Sequence, residues 1–450
     1  MRFGPLLLAA IVGGNWNNGL HVGSRYLNLN NAASNTNTNI GSRHSINNRE
    51  IVSRLFARDK PRLLAKIKLI RVRLVGLLSN SVKAIEREIV KRYGYLYKKI
   101  CDVENVKAAI ISASRNKRSR RDVRYVLNHI DEKAEELSYL LRTHTYCLNP
   151  YTEGTVVGGT NNKTRNIHKP NFYPDQCIHW AIYLQIAPIL QKSFYEYSCG
   201  SVPGRGSHYG KRAIEKWIRT DRKHTKYYLK MDVHHYYPSI QPDRIKKLLR
   251  TKFKDKELLS ILDKILDLHT GLPIGILLSQ WFANYYLTEL DFMIKQKLNA
   301  KYYIRYMDDM VVFGNNKRQL HKMRIEIEKW LKSRGLELKS NWQVCKFDAE
   351  PLDYMGFRFY RDRTTLRKSI LYRISRKVRQ IRKYGVNYHR ACGMISYFGY
   401  LYCTDTHRFT EEHIKPYIHI KQLKREIRRK QRNDYKEKRK HSCPYRVGSD

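Results

Sequence analysis

The sequence predicts an α+β protein in which helices back one mixed sheet. Segments with the two-residue alternation of strands are interleaved with segments of helical spacing, in neither a strict strand–helix–strand order nor separate blocks. The 450 residues are 42% apolar and 12% aromatic, enough for about three structural units with cores. A formal charge of +47 indicates a polyanionic partner, because each neutralised phosphate releases counterions. We therefore expect nucleic acid, with 33 tyrosines offering rings to unpaired bases.

Composition, cysteine spacing and hydropathy limit the classes of protein to which this sequence can belong. An enzyme that acts on small metabolites does not need the electrostatic field of such a large positive charge. A highly charged structural protein of the ribosome or of chromatin remains an alternative. The eight cysteines are scattered, without CxxC pairs or histidines at ligand spacing, so we predict no zinc site or disulfide framework and a reducing cytoplasm. The longest apolar run, residues 5–12, is much shorter than the ~18 to 20 residues that a membrane span needs. It could form the core of a signal peptide, which is the less favoured interpretation.

The first 89 residues differ in composition from the rest. Residues 1–46 form an Asn-rich leader with nine asparagines between positions 15 and 39 and only Arg25 charged there, too little apolar surface to fold alone. Residues 47–89 form a basic, Leu/Ile/Val-rich spacer to which we assign no fold.

Periodicity predicts the elements from residue 90 onward. Alternation predicts a strand over 226–234, with Asp232 on its open face, and a strand, turn and strand within 301–313. Residues 150–169 read as loop and hairpin. Helical spacing covers 103–113, 122–141, 243–266, 279–298 and 317–334, and a basic helical region begins at 368. The basic tail, 421–440, is interpreted as an RNA-gripping extension.

Three acids carry the predicted chemistry. Asp308 and Asp309 are adjacent at the predicted turn, and the strand bearing Asp232 can pair beside them. Converging carboxylates repel each other unless a cation neutralises them, and hard oxygen ligands suit Mg²⁺. Two such ions can activate an attacking hydroxyl and stabilise a leaving pyrophosphate. An Asp-Asp turn alone is commonplace, but YMDD between two apolar strands is more specific.

These motifs resemble those of reverse transcriptases. YMDD at 306–309 and KMDVHHYYPSI at 230–240 are similar to the two catalytic motifs of that family, and similar motifs follow in order from residue 163 to residue 401. The resemblance implies a right-hand polymerase fold: N-terminal helices and fingers over 90–225, a palm over 226–360, and a helical basic thumb and tail over 361–450. It implies Asp232 and Asp308 as principal ligands of two Mg²⁺ ions, with Asp309 as the third acid.

The resemblance also implies roles for other residues. Tyr237, five residues after Asp232, would be the steric gate that excludes a ribose 2′-hydroxyl. Lys339 would assist the departing pyrophosphate or would be an ordinary surface lysine. The remaining nucleotide-binding predictions are Lys163, Arg165 and Arg205 for the triphosphate, and Ile274, Gly275 and Gln280 beside the nascent pair. The nucleic-acid-binding predictions are Arg373, Lys377, Arg428 and Arg429. His234 and His235 are assigned no metal.

Two features resemble diversity-generating retroelements. Most reverse transcriptases carry Gln-Gly-x-x-x-Ser-Pro where this chain has IGILLSQ at 274–280, and the IGxxxSQ form resembles that subgroup. Residues 13–43 resemble a template repeat read in frame, because Asn codons can be randomised at adenines without creating stop codons. Residues 1–89 would then be translated template repeat and spacer, although the next methionine after Met1 is Met231.

The subgroup implies an error-prone, adenine-directed polymerase in the cytoplasm of a bacterial or phage-infected cell. Its partners would be template RNA, cDNA, dNTPs and a small basic accessory variability protein, with no membrane. The alternatives are a group II intron-like or phage-defence reverse transcriptase, and a non-enzymatic basic RNA-binding protein with a degenerate palm. The presence of Asp232, Asp308 and Asp309 disfavours the last.

Overall fold

The computed structural model describes residues 92–158 and 163–441, with side chains omitted at 157, 158, 163 and 434–441. The predictions for the Asn-rich leader and the spacer therefore lie outside the described residues. All described residues belong to one compact unit, Glu88–Asp450.

Four helices open the described chain. They are α1 (Tyr97–Ile100), α2 (Val103–Ala113), α3 (Arg121–Asn128) and α4 (Ile130–Arg142). Helix α2 has the predicted bounds, because Asp102 caps it by accepting a hydrogen bond from the Asn105 amide. The single helix predicted over 122–141 is wrong: non-helical angles at His129 (φ −116°, ψ 38°) divide it into α3 and α4.

A two-stranded hairpin confirms the prediction for residues 150–169. Its strands β1 (Thr152–Gly158) and β2 (Lys163–Lys169) pair in antiparallel register. A π-type turn, Phe172–Gln176, then leads into α5 (Cys177–Gln191), whose Ile178, Ile182 and Ile186 are fully buried at helical spacing. Helix α6 (Ser207–Thr220) follows.

The central sheet confirms the predicted strands. Its strands are β3 (Ser198–Cys199), β4 (Tyr227–His234), β5 (Tyr302–Tyr306), β6 (Asp309–Gly314), β7 (Glu337–Leu338) and β8 (Gln343–Lys346). The order is β3-β5-β6-β4-β7, with β8 also paired to β4, and only β3 and β5 run parallel. The single buried face predicted for β4 is wrong, because Leu229 and Met231 join one core while Tyr228 is buried in a second core on the other face.

Helices pack beside this sheet. They are α7 (Tyr236–Ser239), α8 (Pro242–Lys252), α9 (Lys256–Asp267), α10 (Leu277–Tyr286), α11 (Thr288–Phe292) and α12 (Lys317–Ser333), with a π-type turn at Met293–Lys297. Helix α12 confirms the prediction for 317–334. The helices predicted over 243–266 and 279–298 are each interrupted. The first breaks because Phe253 and Asp255 are extended and Asp255 caps α9 through the Leu258 amide.

The C-terminal part is a small sheet followed by helices. Strands β9 (Leu352–Tyr354), β10 (Phe357–Phe359) and β11 (Thr364–Leu366) precede α13 (Lys368–Tyr384), α14 (Tyr388–Leu401), α15 (His407–His413) and α16 (Ile420–His441). The basic helical region from residue 368 is thus confirmed. The extension predicted over residues 421–440 packs in part on the rest of the fold, because the Leu423 side chain is only 1% exposed and α16 packs on α14. None of the described helices has both the length and the apolar character needed to cross a membrane.

Candidate active site

A tight turn places Asp308 at the end of the central hairpin. Met307 and Asp308 are the two residues between β5 and β6, because Tyr306 pairs with Asp309. Met307 has a positive φ of 57°, an uncommon conformation for a side chain of this size. Its amide donates to the Cys199 carbonyl at 3.1 Å, so β3 holds the strained turn from outside the hairpin.

The strand register brings the predicted acids to one place. Asp232 of β4 lies directly opposite Asp309 of β6, so both side chains project from the same face. Burial, then the charge of Asp232, raises the pKa of Asp308 to about 6. Burial also raises the pKa of Asp309 to about 7, against the opposing charge of Lys230 and with repulsion from the other two acids. Ionisation of both acids is therefore disfavoured unless a cation compensates their charge.

Two carboxylate oxygens fit a cation. Oδ1 of Asp232 and Oδ1 of Asp309 are buried and have no hydrogen-bond partner in the described part of the protein. Buried polar atoms left this way call for a ligand, and carboxylate oxygens are hard ligands for divalent ions. Within residues 92–158 and 163–441, however, no three His, Cys, Asp or Glu side chains are gathered closely enough for a metal ion. The assignment of all three acids as ligands therefore stays a prediction.

A lysine occupies the free side of Asp232. The ammonium of Lys339 pairs with Oδ2 of Asp232, and the Lys339 amide donates to the Asp232 carbonyl at 2.9 Å. This residue was predicted either to assist the departing pyrophosphate or to be an ordinary surface lysine. The structure pairs its charge with Asp232, and the pyrophosphate role stays a prediction. Because both side chains are about 30% exposed, the pair lies at the open edge of the site.

The small C-terminal sheet is hydrogen-bonded to the two strands that carry Asp232 and Asp309. The Tyr354 hydroxyl donates to the Asp309 carbonyl at 2.7 Å, and Lys230 donates to the Asp353 carbonyl at 2.7 Å. Arg367 donates to Oδ1 of Asp353 at 2.7 Å. The start of β6 is thus tied to β9 by side-chain hydrogen bonds.

A buried arginine under the turn was missed by sequence reasoning. Arg305 is 0% exposed; it donates to Asp291 through Nε (2.8 Å) and Nη2 (2.7 Å), and to Oγ of Ser198 at 2.7 Å. Its Nη1 donates to Oδ1 of Asn284 at 3.1 Å and to the Met307 carbonyl at 2.8 Å. An arginine inside an otherwise apolar strand was the available signal, since such a charge must find a partner when buried.

Tyr237 lies beside the acids. It is half-buried on α7, and its carbonyl accepts from the Leu272 amide at 3.0 Å. Burial, then the negative charge of Asp308, raises the pKa of the Tyr237 hydroxyl, so the phenol stays neutral and close to Asp308. This position is compatible with the predicted steric gate.

The β1–β2 hairpin is hydrogen-bonded to the loop that contains Ile274 and Gly275. The His168 amide donates to the Ile274 carbonyl at 2.8 Å. Gly275 has φ +108°, and a Cβ there would lie 2.7 Å from the His168 carbonyl oxygen. Only glycine suits both constraints. Gln280 is half-buried on α10, the helix that begins at Leu277 just after this loop.

The predicted triphosphate cations are not gathered in one place by any described contact. Lys163 begins β2, and its side chain is not described. Arg165 is exposed on the same strand, opposite Val156. Arg205 donates from Nη1 to the Tyr195 carbonyl at 3.0 Å, so part of its guanidinium holds its own loop.

The predicted nucleic-acid-binding cations lie on two different helices. Arg373 and Lys377 are half-buried on α13, and Lys377 lies against α14 near Gly393. Arg428 and Arg429 are exposed on α16. All four stay predictions for binding.

Comparisons find known proteins to which part of this chain is similar. A family model described as "Reverse transcriptase (RNA-dependent DNA polymerase)" matches residues 160–359, from the hairpin to β10. The Retron Ec73 reverse transcriptase of Escherichia coli is 28% identical over 217 residues, covering 44% of this chain and 68% of that protein. The group II intron-encoded protein LtrA of Lactococcus lactis subsp. cremoris is 24% identical over 177 residues, covering 37% of this chain and 29% of that protein.

A solved apo telomerase from Candida tropicalis matches with a TM-score of 0.36 and 14% identity, over 48% of this chain and 47% of that one. The chain thus spans about two thirds of the retron enzyme but less than half of the other two proteins.

The matched range contains Asp232, Asp308 and Asp309, and enzymes with this domain use divalent metal ions. Residues 160–359 thus match a reverse transcriptase domain, and this match and the retron relative indicate an RNA-directed DNA polymerase with a right-hand fold.

Proposed function

We propose that this polymerase copies a template-repeat RNA into cDNA with frequent errors opposite adenine, as in diversity-generating retroelements. The observation that carries the proposal is the IGxxxSQ loop, in which Ile274 stands where most reverse transcriptases have Gln. Ile lacks the hydrogen-bonding groups that an amide would offer next to the nascent pair, so that pair would be checked by shape alone.

The active-site residues have defined tasks in this proposal. Asp232 and Asp308 would hold two Mg²⁺ ions, with Asp309 as the third acid. Bound ions of this kind activate the primer 3′-hydroxyl and stabilise the leaving pyrophosphate. Tyr237 closes the space beside Asp308 against a ribose 2′-hydroxyl, and Lys339 contributes positive charge at the open edge where the triphosphate enters.

The cations of the hairpin and of its neighbouring loop complete the nucleotide site in this proposal. Lys163 and Arg165 stand on β2, which also grips the Ile274 carbonyl, and Arg205 lies in the loop before α6. Guanidinium and ammonium groups suit phosphate oxygens.

The leader supports the same subgroup. Residues 13–43 resemble a translated template repeat, so residues 1–89 would be read-through of template and spacer rather than a working domain. The expected partners are template RNA, cDNA, dNTPs and a small basic accessory variability protein, in the cytoplasm of a bacterial or phage-infected cell.

A second candidate is a retron-type or group II intron-like reverse transcriptase, including the phage-defence kind. The similarity to the Retron Ec73 enzyme and to LtrA favours it. Both candidates share the palm chemistry and differ in the RNA that is copied. The neighbouring DNA separates them: a near-repeat of the coding segment for residues 15–43 that differs only at adenines supports the first candidate, and its absence supports the second.

Primer extension tests the polymerase directly. The full chain is given a primed RNA template and dNTPs in Mg²⁺, and the cDNA is sequenced for errors opposite each base. Asp308→Asn should abolish incorporation while RNA binding stays nearly intact, because affinity comes from many distributed cations. Activity above roughly a few per cent in Asp308→Asn would contradict its role as a metal ligand. Equal error rates opposite all four bases would contradict adenine-directed copying.

A further inference from the structure

A cleft opens on the C-terminal helices, away from the three acids. Its volume is about 500 Å³, within the ~300 to 1,000 Å³ range of small-molecule sites. One wall is a face of α13 on which Lys368, Tyr372 and Arg379 recur at helical spacing. The other wall runs from α15 into the segment after it, where Phe409 and Tyr417 line the cleft.

The cleft is positively charged. Lys368, Arg379 and Arg382 line it together with His413, and the lining contains no acid. Within the described ranges none of the first three side chains forms an ion pair with an acid. The acids of α15 pair with neighbouring side chains: Glu411 with Lys415, and Glu412 with Arg408 at 2.7 Å and with His413 at 3.9 Å. The cleft therefore has cationic groups available for an anion.

The same cleft presents aromatic faces. Tyr372 of α13 is 70% exposed and Tyr417, in the turn after α15, is 44% exposed. The Arg382 guanidinium lies 4.0 Å from the centre of the Tyr417 ring, a cation–π arrangement that orients the flat guanidinium group. Exposed rings next to arginine are the pattern of surfaces on which unpaired bases stack.

We propose that this cleft binds one unpaired nucleotide of a nucleic-acid strand, with its base on the rings of Tyr372 and Tyr417 and its phosphate on Arg379 and Arg382. The inference rests on the proposed copying of an RNA template, and it adds a nucleotide site outside the palm. It also distinguishes two faces of α13: the predicted Arg373 and Lys377 are half-buried on a different face, which leans on α14.

The test compares base-containing and abasic strands. The full chain is titrated with fluorescein-labelled 12-nucleotide oligouridine, as RNA and as DNA, and with the same backbones lacking bases. Tyr372→Ala/Arg379→Ala should reduce the affinity ratio between the base-containing and abasic strands by about 5- to 150-fold, since stacking on a ring accounts for that much per base. The RNA and DNA arms identify which strand enters the cleft.

A matched control removes the same groups from the same helix. Tyr384 is 60% exposed and Arg376 is exposed, and neither lines the cleft. Tyr384→Ala/Arg376→Ala should keep the wild-type ratio, and Tyr372→Phe/Arg379→Lys, which retains ring and charge, should keep most of it.

An unchanged ratio in the cleft variant, or an equal loss in the control, overturns the proposal and favours a protein segment or no ligand in the cleft. Primer extension by the wild type reports on polymerase activity separately, so failure of the proposed function and failure of the cleft proposal give different results. Thermal unfolding of each variant shows whether a lost ratio comes from a lost fold.

Discussion

Replacing Arg305 should destabilise the protein strongly and disturb the turn that carries Asp308. Arg305→Met keeps most of the side-chain volume but leaves Asp291 fully buried without its cation. It also removes the donor to the Met307 carbonyl, whose positive φ is held partly by that bond. One substitution has both effects, because the guanidinium group contacts both Asp291 and the Met307 carbonyl.

The magnitude follows from burial. Removing one partner of a buried ion pair costs about 3 to 5 kcal/mol, because the remaining charge is left without compensation in a poorly polarisable interior. Both side chains of this pair are 0% exposed, so screening by solvent does not reduce that figure. Asp291→Asn should lower the free energy of unfolding by a similar amount, because it leaves the buried Arg305 cation without its acid. The double variant Arg305→Met/Asp291→Asn removes both charges and should be more stable than the sum of the single losses predicts, by roughly 0.5 to 3 kcal/mol.

Urea unfolding followed by tryptophan fluorescence measures these free energies, since Trp281 lies buried in the same core as Tyr303. Primer extension well below the unfolding midpoint measures the effect on the turn. Additive losses in the double variant, or a loss below about 1 kcal/mol in Arg305→Met, would refute the argument from an uncompensated buried charge. Full activity of a folded Arg305→Met would refute its role in positioning the turn.

Three further outcomes are expected. Deleting residues 1–89 should leave primer extension on a generic template largely unchanged, because the Asn-rich leader has too little apolar surface to fold alone; an insoluble or inactive truncation would contradict this. Ile274→Gln, alone or with Gln280→Pro, should lower misincorporation opposite template adenine by about 5- to 150-fold, and equal adenine errors in sequenced cDNA would count against it. Gly275→Ala should lower the unfolding free energy by at least about 1 kcal/mol, because its Cβ would meet backbone oxygen at 2.7 Å, whereas Gly399→Ala, inside α14 with open space around it, should not.

Local patterns predicted the elements that depend on local chemistry. The alternation in β4 and the turn between β5 and β6 are encoded by neighbouring residues, and the register that sets Asp232 opposite Asp309 agrees with the predicted pairing. The helix predicted over 243–266 failed where a capping residue acts within an apolar pattern. Asp255 caps α9 and also accepts from the Leu96 amide at 2.7 Å, so its role depends on a residue 159 positions away.

The electrostatic partners could not be assigned from sequence. Arg305 and Asp291 are 14 positions apart on different elements, and only the packing of β5 against α11 makes them neighbours. Lys339 was recognised as a cation near the reaction, but its pairing with Asp232 depends on β4 meeting β7. Spacing along the chain predicts which residues share a face, and it does not predict which faces meet.

The bond between the His168 amide and the Ile274 carbonyl has a consequence for how this polymerase can evolve. The loop that contains Ile274 is hydrogen-bonded to a strand more than 100 residues earlier, and glycine at 275 allows the two backbones to approach closely. Under the proposed function, in which this loop lies beside the nascent pair, copying accuracy would depend on two distant segments of the chain. Substitutions in the hairpin would then shift the error spectrum without altering any residue that meets a base, and a loop grafted without its hairpin would lose the contact that holds it.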